Sequence, residues 1–247
     1  MRYWKVNSVK LIVLLMLLTI TSGSFAKTPY SKNIYDAFIV RDMTKWENVI
    51  QSMEASHYNK TVDQKLELIN YYYGIIGYLI GKKQYIHAEQ LTNRGDALID
   101  QVLLTAPKNT TATSFKGSFA GFRVGIKKFK AILLIFDSKK YINKAVEMDP
   151  LNIQALIDKG NTYYYAPAIF GGDKKTALTY YLKAAGIMEQ KNETHENWVY
   201  LNTLTMIAFA YKKTDNPIAA KQTYEKVMQI EPNITWAKDV LTAIHND

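Results

Sequence analysis

The stretch that decides the fold is Ile153–Ala184, which reads IQALIDKGNTYYYAPAIFGGDKKTALTYYLKA. Residues spaced i, i+4 and i+7 share one face of a helix. Two segments show this spacing, on either side of a break that contains Pro and Gly: Leu156, Gly160 and Tyr163, then Ala177, Tyr181 and Ala184. A small residue midway along each face lets the two helices approach closely, and the aromatic residue fills the space beside it. The stretch therefore predicts a hairpin of two packed helices.

The same pattern recurs on both sides of this hairpin. A step of about 34 residues upstream places Phe122 and Phe129 at the positions of Leu156 and Tyr163. Downstream, a third unit follows the same spacing on two segments: Leu204, Ala208 and Tyr211, then Ala220, Tyr224 and Val227. The units end in similar turns, Asp149-Pro150-Leu151-Asn152 and Glu231-Pro232-Asn233. In these residues the chain resembles the tetratricopeptide repeat family, which implies an all-α fold, a right-handed αα-superhelix of helical hairpins.

The sequence departs from the family pattern at two places. Ser138 and Ile142 stand where the family usually has Ala and an aromatic residue. An insertion, Ala166–Asp173 (APAIFGGD), makes the turn between the paired helices about five residues longer than the family needs. A similar Pro…Gly-Gly-Asp turn occurs in some exported bacterial tetratricopeptide proteins, including the T component of TRAP transporters. That similarity implies an alternative role as a transport accessory protein.

Residues 1–26 have the form of a secretory signal peptide. A basic segment containing Arg2, Lys5 and Lys10 precedes the run Leu11–Ile20, which is apolar except for Thr19, and small residues flank Phe25. We expect cleavage after Ala26 and a periplasmic or secreted protein. The alternative is an uncleaved anchor, although the apolar run is about half as long as a bilayer-spanning helix.

Charge and composition limit the classes of partner and chemistry. The chain has no Cys, which excludes disulfides and thiolate chemistry. Three of the 31 Lys and Arg residues and no acidic residue lie in 1–26, so the mature chain carries 28 basic and 22 acidic residues, a charge of +6. Because there is no compact basic block, this charge favours a protein or acidic peptide partner over nucleic acid.

Residues 27–247 are predicted to form one helical repeat domain. It comprises two diverged hairpins in 33–106, clearer repeats at 119–152, 153–190 and 201–234, and a closing helix at 235–246. The first hairpin is expected at Asn33–Arg41 and Thr44–Ala55, after a flexible lead-in. Thr61 and Gln64 form a predicted capping box for the next helix. A glycine face formed by Gly117, Gly121 and Gly125 is expected to pack against the preceding hairpin, because the neighbouring cations argue against lipid.

No motif supports catalysis, a cofactor or a metal site. His195-Glu196 begins like a zinc-protease helix, but Val199 stands where the second His is required. The Gly171-Gly172-Asp-Lys-Lys-Thr segment has Lys174 where a phosphate-binding loop needs Gly, which predicts an ordinary turn. We therefore expect a non-catalytic protein. An enzyme with an unrecognised site is the least favoured alternative.

The resemblance implies a binding surface on the first helix of each pair, which lines the concave face in this family. The corresponding stripes present cations beside amides and aromatic rings. They predict a basic, aromatic groove for a protein or acidic peptide partner. The alternative for these positions is an ordinary solvated helix face. The predicted partner-binding residues are Arg123, Lys127, Lys130, Gln154, Asn161, Tyr164, Tyr165, Asn202, Phe209, Lys212 and Lys213.

Two functional hypotheses follow. The first is an exported, non-catalytic scaffold that binds a protein partner in an open groove. The second is a small-ligand-binding or transporter accessory protein of the envelope, which predicts a closed, aromatic-lined pocket near residues 163–170.

Overall fold

The computed structural model describes residues 28–56, 61–127 and 131–237. Within these ranges the regular structure is helical, without strands, and the predicted all-α fold class is confirmed. The described α-helices are α1 Pro29–Val40, α2 Met43–Ala55, α3 Val62–Gly81, α4 Tyr85–Thr105, α5 Thr110–Ile126, α6 Ala131–Met148, α7 Ile153–Tyr165, α8 Lys174–Gln190, α9 Trp198–Lys213 and α10 Pro217–Ile230. A 3₁₀ turn, Ala168–Phe170, separates α7 from α8.

Consecutive helices pair into hairpins, and the hairpins stack in chain order. Within each pair, from α1 with α2 to α9 with α10, the two helices pack against each other. The first helices of the middle hairpins also meet, since α5 packs against both α3 and α7. The second helix α8 packs against α9 of the following hairpin. This arrangement places α3, α5 and α7 side by side along one surface.

Side-chain caps explain where several helices begin. Thr61 Oγ1 accepts from the backbone N–H of Gln64 at 3.2 Å, and Gln64 Oε1 accepts from the Thr61 N–H at 3.1 Å, so the predicted capping box is confirmed. The first helices α5, α7 and α9 each follow an Asn whose side chain accepts from the first turn: Asn109, Asn152 and Asn197. Such caps stabilise a helix by about 1 kcal/mol each.

The amino-terminal hairpin begins earlier than predicted. The expected flexible lead-in ended at Lys32, but α1 already starts at Pro29. Proline favours the first helical position, because its fixed φ suits a helix and its missing N–H would have no intrahelical partner there. The prediction of a helix start at Asn33 was therefore wrong by one turn.

Small residues allow close helix contacts, as predicted for Ile153–Ala184. A Cβ built on Gly160 would lie 2.5 Å from the ring of Tyr181, so the fully buried Tyr181 occupies the space left by Gly160. At Gly117 the neighbour differs from the prediction, because a Cβ there would lie 2.6 Å from Ile142 of α6, its own hairpin partner. The preceding hairpin is met only at Gly125, where Ile80 would be 3.4 Å away.

The first hairpin contacts the last repeat. Phe38 of α1 packs against Trp198 and Trp236, with ring centroids 5.9 and 5.4 Å apart. The Trp236 indole N–H donates to the Phe38 carbonyl at 3.0 Å, and the Tyr35 hydroxyl donates to the Glu231 carboxylate at 2.8 Å. The stack of hairpins therefore closes into a ring around its inner surface, which stays partly open to solvent where Tyr165 and Phe170 are exposed.

Several predicted features lie outside the described residues. These are the signal peptide at 1–26, Lys130, and the part of the closing helix beyond residue 237. In the part of the chain that the structure describes, no helix combines the length and apolarity needed to cross a bilayer.

A central cavity as the candidate functional site

The enclosed inner surface forms a cavity of about 670 Å³. Small-molecule sites in proteins commonly measure about 300–1,000 Å³. The wall includes residues of α1, α2, α3, α5, α6, α7 and α9, together with the insertion and Trp236. Much of it is aromatic: Phe38, Trp46, Tyr73, Tyr78, Phe122, Tyr165, Phe170, Trp198, Phe209 and Trp236.

Two glycines of α3 give one wall its shape. Gly74 lies under two indoles, since a Cβ there would be 2.6 Å from Trp46 and 2.9 Å from Trp198. These indoles meet edge to face with centroids 5.0 Å apart. One turn later, a Cβ on Gly77 would meet no atom within 4 Å, so the backbone itself faces open space. A glycine inside a helix lowers the stability of the helix by about 1 kcal/mol relative to alanine. At Gly77 no packing contact offsets this loss.

A polar network lies behind the wall formed by α7. The Asp158 side chain is fully buried and accepts from Ser114 Oγ at 2.6 Å and from Gln154 Nε2 at 3.0 Å. Ser118 and Tyr73 also hydrogen-bond to this carboxylate. Burial raises the pKa of Asp158 to about 6, and its hydrogen bonds offset part of that effect. The network ties α7 to α5 and α3.

Asn161 links this network to the cavity. Its Nδ2 donates to the Tyr73 hydroxyl oxygen at 2.7 Å, and its Oδ1 accepts from the Tyr181 hydroxyl at 2.7 Å. Both ends of the amide are therefore paired within the protein. This pairing fixes the orientation of Asn161 in the cavity wall.

Tyr165 projects into the enclosed space. Its residue surface is 68% exposed, yet surrounding protein raises its pKa to about 12, with desolvation as the main cause and Tyr164 as the second. The high exposure and the raised pKa are compatible, because the ring is reached by solvent but is surrounded by protein on the cavity side. Its hydroxyl donates to Met206 Sδ of α9 at 3.7 Å, a weak acceptor. Tyr165 thus spans from α7 to α9.

Four of the predicted partner-binding residues come together in the cavity wall: Asn161, Tyr165, Asn202 and Phe209. Phe209 is supported from behind by Tyr224, with ring centroids 6.0 Å apart and planes at 76°. The Asn202 amide has no hydrogen-bond partner among the described residues. The sequence pattern thus identified part of the inner surface.

The other α7 residues of the predicted stripe lie beside the cavity. Tyr164 packs between Tyr165 and Tyr181, and the Lys174 ammonium lies 4.7 Å from its ring centroid. Gln154 is only 8% exposed and is held by its bond to Asp158. Both side chains support the wall.

The four predicted cations that the structure describes, Arg123, Lys127, Lys212 and Lys213, do not line the cavity. Arg123 pairs with Asp96 and donates to Asn93 Oδ1 at 3.0 Å, and Lys127 pairs with Glu89, so both meet α4. Lys212 and Lys213 lie in the last turn of α9, where Lys213 is exposed and Lys212 is half-buried. Their role as partner contacts stays a prediction.

The sequence pattern missed the contributions of the first hairpin and of Lys139 on α6. Two cations line the cavity: Arg41, whose guanidinium lies 4.6 Å from the Trp236 ring centroid, and Lys139, which donates to the Phe170 carbonyl at 2.7 Å. The third charged lining residue, Asp158, is fully buried. Apart from the buried Asp158, the charged side chains that line the cavity in the described part of the chain are therefore cationic. Across residues 28–56, 61–127 and 131–237, no three His, Cys, Asp or Glu side chains converge as metal ligands would.

Comparison with known proteins identifies one repeat. Residues 201–234, which cover all but the first three residues of the α9–α10 hairpin, match the tetratricopeptide repeat family. No curated protein sequence matches the chain. Among solved structures, the crystal structure of the APC/C hetero-tetramer Cut9-Hcn1 contains a similar chain, with 11% identity and a TM-score of 0.37. The similarity covers 86% of this chain and 40% of that one. The family match therefore falls on the segment that supplies Asn202 and Phe209 to the cavity.

Proposed function

We propose that the chain is an exported, non-catalytic interaction scaffold that holds a protein partner at its inner surface. The observation that supports this proposal most directly is the match of residues 201–234 to the tetratricopeptide repeat family. Repeats of this type are protein-interaction modules, and in this one α9 presents Asn202 and Phe209 to the cavity and ends at Lys212 and Lys213.

The chemistry of the surface favours an acidic partner with an apolar anchor. The accessible charges in the cavity wall are Arg41 and Lys139, and the exposed Lys213 lies at the end of α9. Cations pair with carboxylates, while an aromatic wall buries an apolar side chain. A segment that carries acidic residues beside an aromatic or aliphatic residue satisfies both requirements.

A capture experiment with matched charge reversals tests this proposal. The wild-type chain is used to recover partners from an envelope fraction, beside Lys139→Glu with Lys213→Glu and a control pair, Lys175→Glu with Lys221→Glu. The control makes the same charge change on the outer helices α8 and α10. We expect the first pair to lose a partner that wild type and control retain. Equal capture by all three proteins would contradict the proposed surface.

Export rests on residues 1–26 and has its own test. Amino-terminal sequencing of the protein recovered from the cell envelope is expected to begin at Lys27. Recovery of a chain that still begins at Met1 in the cytoplasmic fraction would contradict export.

The closure of the chain favours a second candidate, a small-ligand-binding or transport accessory protein. Such a protein was expected to have an enclosed aromatic pocket near residues 163–170, and both Tyr165 and Phe170 line the cavity. An enclosed volume of about 670 Å³ suits a small molecule. A thermal-shift screen of apolar ligands tests this candidate, because a ligand that binds only the folded state raises the unfolding temperature.

A further inference from the structure

We propose that the cavity binds a small, uncharged, mainly apolar molecule that contains a ring and one hydroxyl or carbonyl group. Its ring system lies against the α3 glycines and the tryptophans, and its polar group lies between Tyr165 and Asn202. This inference rests on the second candidate function above and specifies the chemical class of its ligand.

The apolar body follows from the composition of the wall. Among the described residues, ten aromatic side chains line the cavity, including three tryptophans. Aromatic side chains bind rings through stacked or edge-to-face contacts. The Gly77 and Gly81 positions add a strip without side chains, since a Cβ on either would meet nothing within 4 Å. A flat apolar body can approach the backbone closely along this strip.

We infer the polar group of the ligand from two side chains of the wall whose hydrogen-bonding capacity is not fully used within the described protein. Asn202 lines the cavity without a hydrogen-bond partner among the described residues. Tyr165 donates only to the thioether of Met206, which lies one helical turn after Asn202 on α9. Residues four apart share a helix face, so Asn202 lies on the same face of α9 as Met206, the residue that the Tyr165 hydroxyl reaches. A ligand hydroxyl or carbonyl placed between the two side chains can hydrogen-bond to both of them.

The absence of ligand charge follows from the α7 wall. The two cations of the wall are engaged within the protein, Arg41 on the Trp236 ring and Lys139 at the Phe170 carbonyl. Asp158 lies behind the α7 wall and forms no ion pair with any described cation, so an anionic group placed against α7 would be repelled by it. A cationic group would lose its hydration, and Asp158 could not pair with it because its carboxylate is fully covered by hydrogen-bond donors. A neutral polar group avoids both penalties.

The test uses the neutral fluorophore N-phenylnaphthylamine with the purified chain. The described tryptophans Trp46, Trp198 and Trp236 all line the cavity, so a probe bound there should quench their emission by energy transfer. We expect saturable one-to-one binding with tryptophan quenching. Binding that does not saturate, or that leaves tryptophan emission unchanged, would overturn the proposal.

Cavity-filling variants locate the site. Gly77→Leu and Gly81→Leu place a side chain in open cavity space, whereas Gly186→Leu places one in open space on α8, away from the cavity wall. We expect both cavity variants to bind the probe about tenfold more weakly or worse, which is equivalent to 1.4 kcal/mol of binding free energy. The control should bind the probe as wild type does. Circular dichroism verifies the fold of each protein. If folded Gly77→Leu and Gly81→Leu both bind like wild type, the assignment is wrong.

A second comparison tests the polar group. Naphthol is expected to bind wild type about tenfold more tightly than naphthalene, and Asn202→Leu is expected to remove this preference. An unchanged preference in Asn202→Leu would refute the assigned hydrogen bond. Lys213→Glu alone changes the partner surface at the end of α9, outside the cavity wall, and should keep probe binding. Loss of partner capture and loss of small-molecule binding can therefore be distinguished.

Discussion

Gly74 and Gly77 lie one turn apart on α3 and meet opposite surroundings. A methyl group on Gly74 would collide with Trp46 and Trp198, whereas one on Gly77 would enter the cavity. We expect Gly77→Ala to stabilise the protein by about 0.4–1 kcal/mol, because alanine reduces the entropy of the unfolded chain. Gly74→Ala should destabilise it, because the indoles must move apart. Urea unfolding of the two variants measures both signs, and a shift in the same direction for both would contradict the packing.

Asp158 makes stability depend on pH. Its pKa rises from 3.8 to about 6 on folding, so the folded state holds a proton that the unfolded state has lost. The associated stabilisation is complete below pH 3.8, falls as pH rises toward 6, and amounts to about 3 kcal/mol in total.

Comparison with Asp158→Asn isolates this effect from other titrating groups. The wild-type free energy of unfolding minus that of Asp158→Asn is expected to decrease between pH 4 and 6 and to stay level above pH 7. Denaturant titrations across this range measure the difference. A difference that does not change with pH, or that increases toward pH 6, would show that burial does not govern the Asp158 carboxyl.

At the residue scale, the sequence predicted contacts between positions close along the chain. The fit of Tyr181 against Gly160 could be derived, because helical spacing alone places both on facing surfaces. The surroundings of Arg123 and Lys127 could not, because a helical stripe does not reveal which neighbouring helix supplies acidic residues. Here α4 supplies Asp96 and Glu89.

The insertion between α7 and α8 is the element that most departs from the family repeat. Gly171 has φ +81°, and a Cβ on Gly172 would collide with the Ala166 carbonyl. The turn is fixed at its ends by the Asp173 N–H, which donates to the Tyr163 carbonyl at 3.0 Å, and by the Asp173 side chain, which caps α8. Its Ala166, Pro167 and Phe170 form part of the cavity wall.

Gly172→Ala is therefore expected to open this turn. Hydrogen exchange of residues 166–173 should accelerate, with a loss of roughly 1–3 kcal/mol in the free energy of unfolding. Gly186→Ala is the matched control, since a Cβ there meets nothing within 4 Å and should be neutral or stabilising. Normal protection of the turn in folded Gly172→Ala would contradict the assigned backbone contact.

Local sequence signals predicted that these helices exist, but they did not predict where α1 begins. The Thr61 capping box and the apolar spacing correctly predicted α3. The start of α1 was missed because its first turn carries charged and polar residues, although Pro29 in the first turn is itself a start signal.

At the scale of the whole molecule, the closing of the stack could not be predicted from the repeats. Helical spacing specifies the packing of neighbouring hairpins, but the Tyr35–Glu231 and Phe38–Trp236 contacts join residues almost two hundred positions apart. The repeat pattern predicted an inner surface available to a guest. The structure keeps that surface and encloses it, which is why aromatic residues of the first hairpin belong to the site.

The central claim is that the first hairpin docks on the last repeat, and the absence of native cysteine allows a direct measurement. Val40 and Thr235 are both exposed, and Thr235 Oγ1 donates to the carbonyl of Ile39, the residue before Val40, at 3.4 Å. Val40→Cys with Thr235→Cys should be joined within one chain by a short thiol cross-linker. Val40→Cys with Leu104→Cys, which pairs the first position with the exposed Leu104 of α4, is the control and should not be joined. Efficient intramolecular cross-linking of the first pair alone is the predicted result, and failure to cross-link that pair in the folded protein would show an open superhelix without an enclosed cavity.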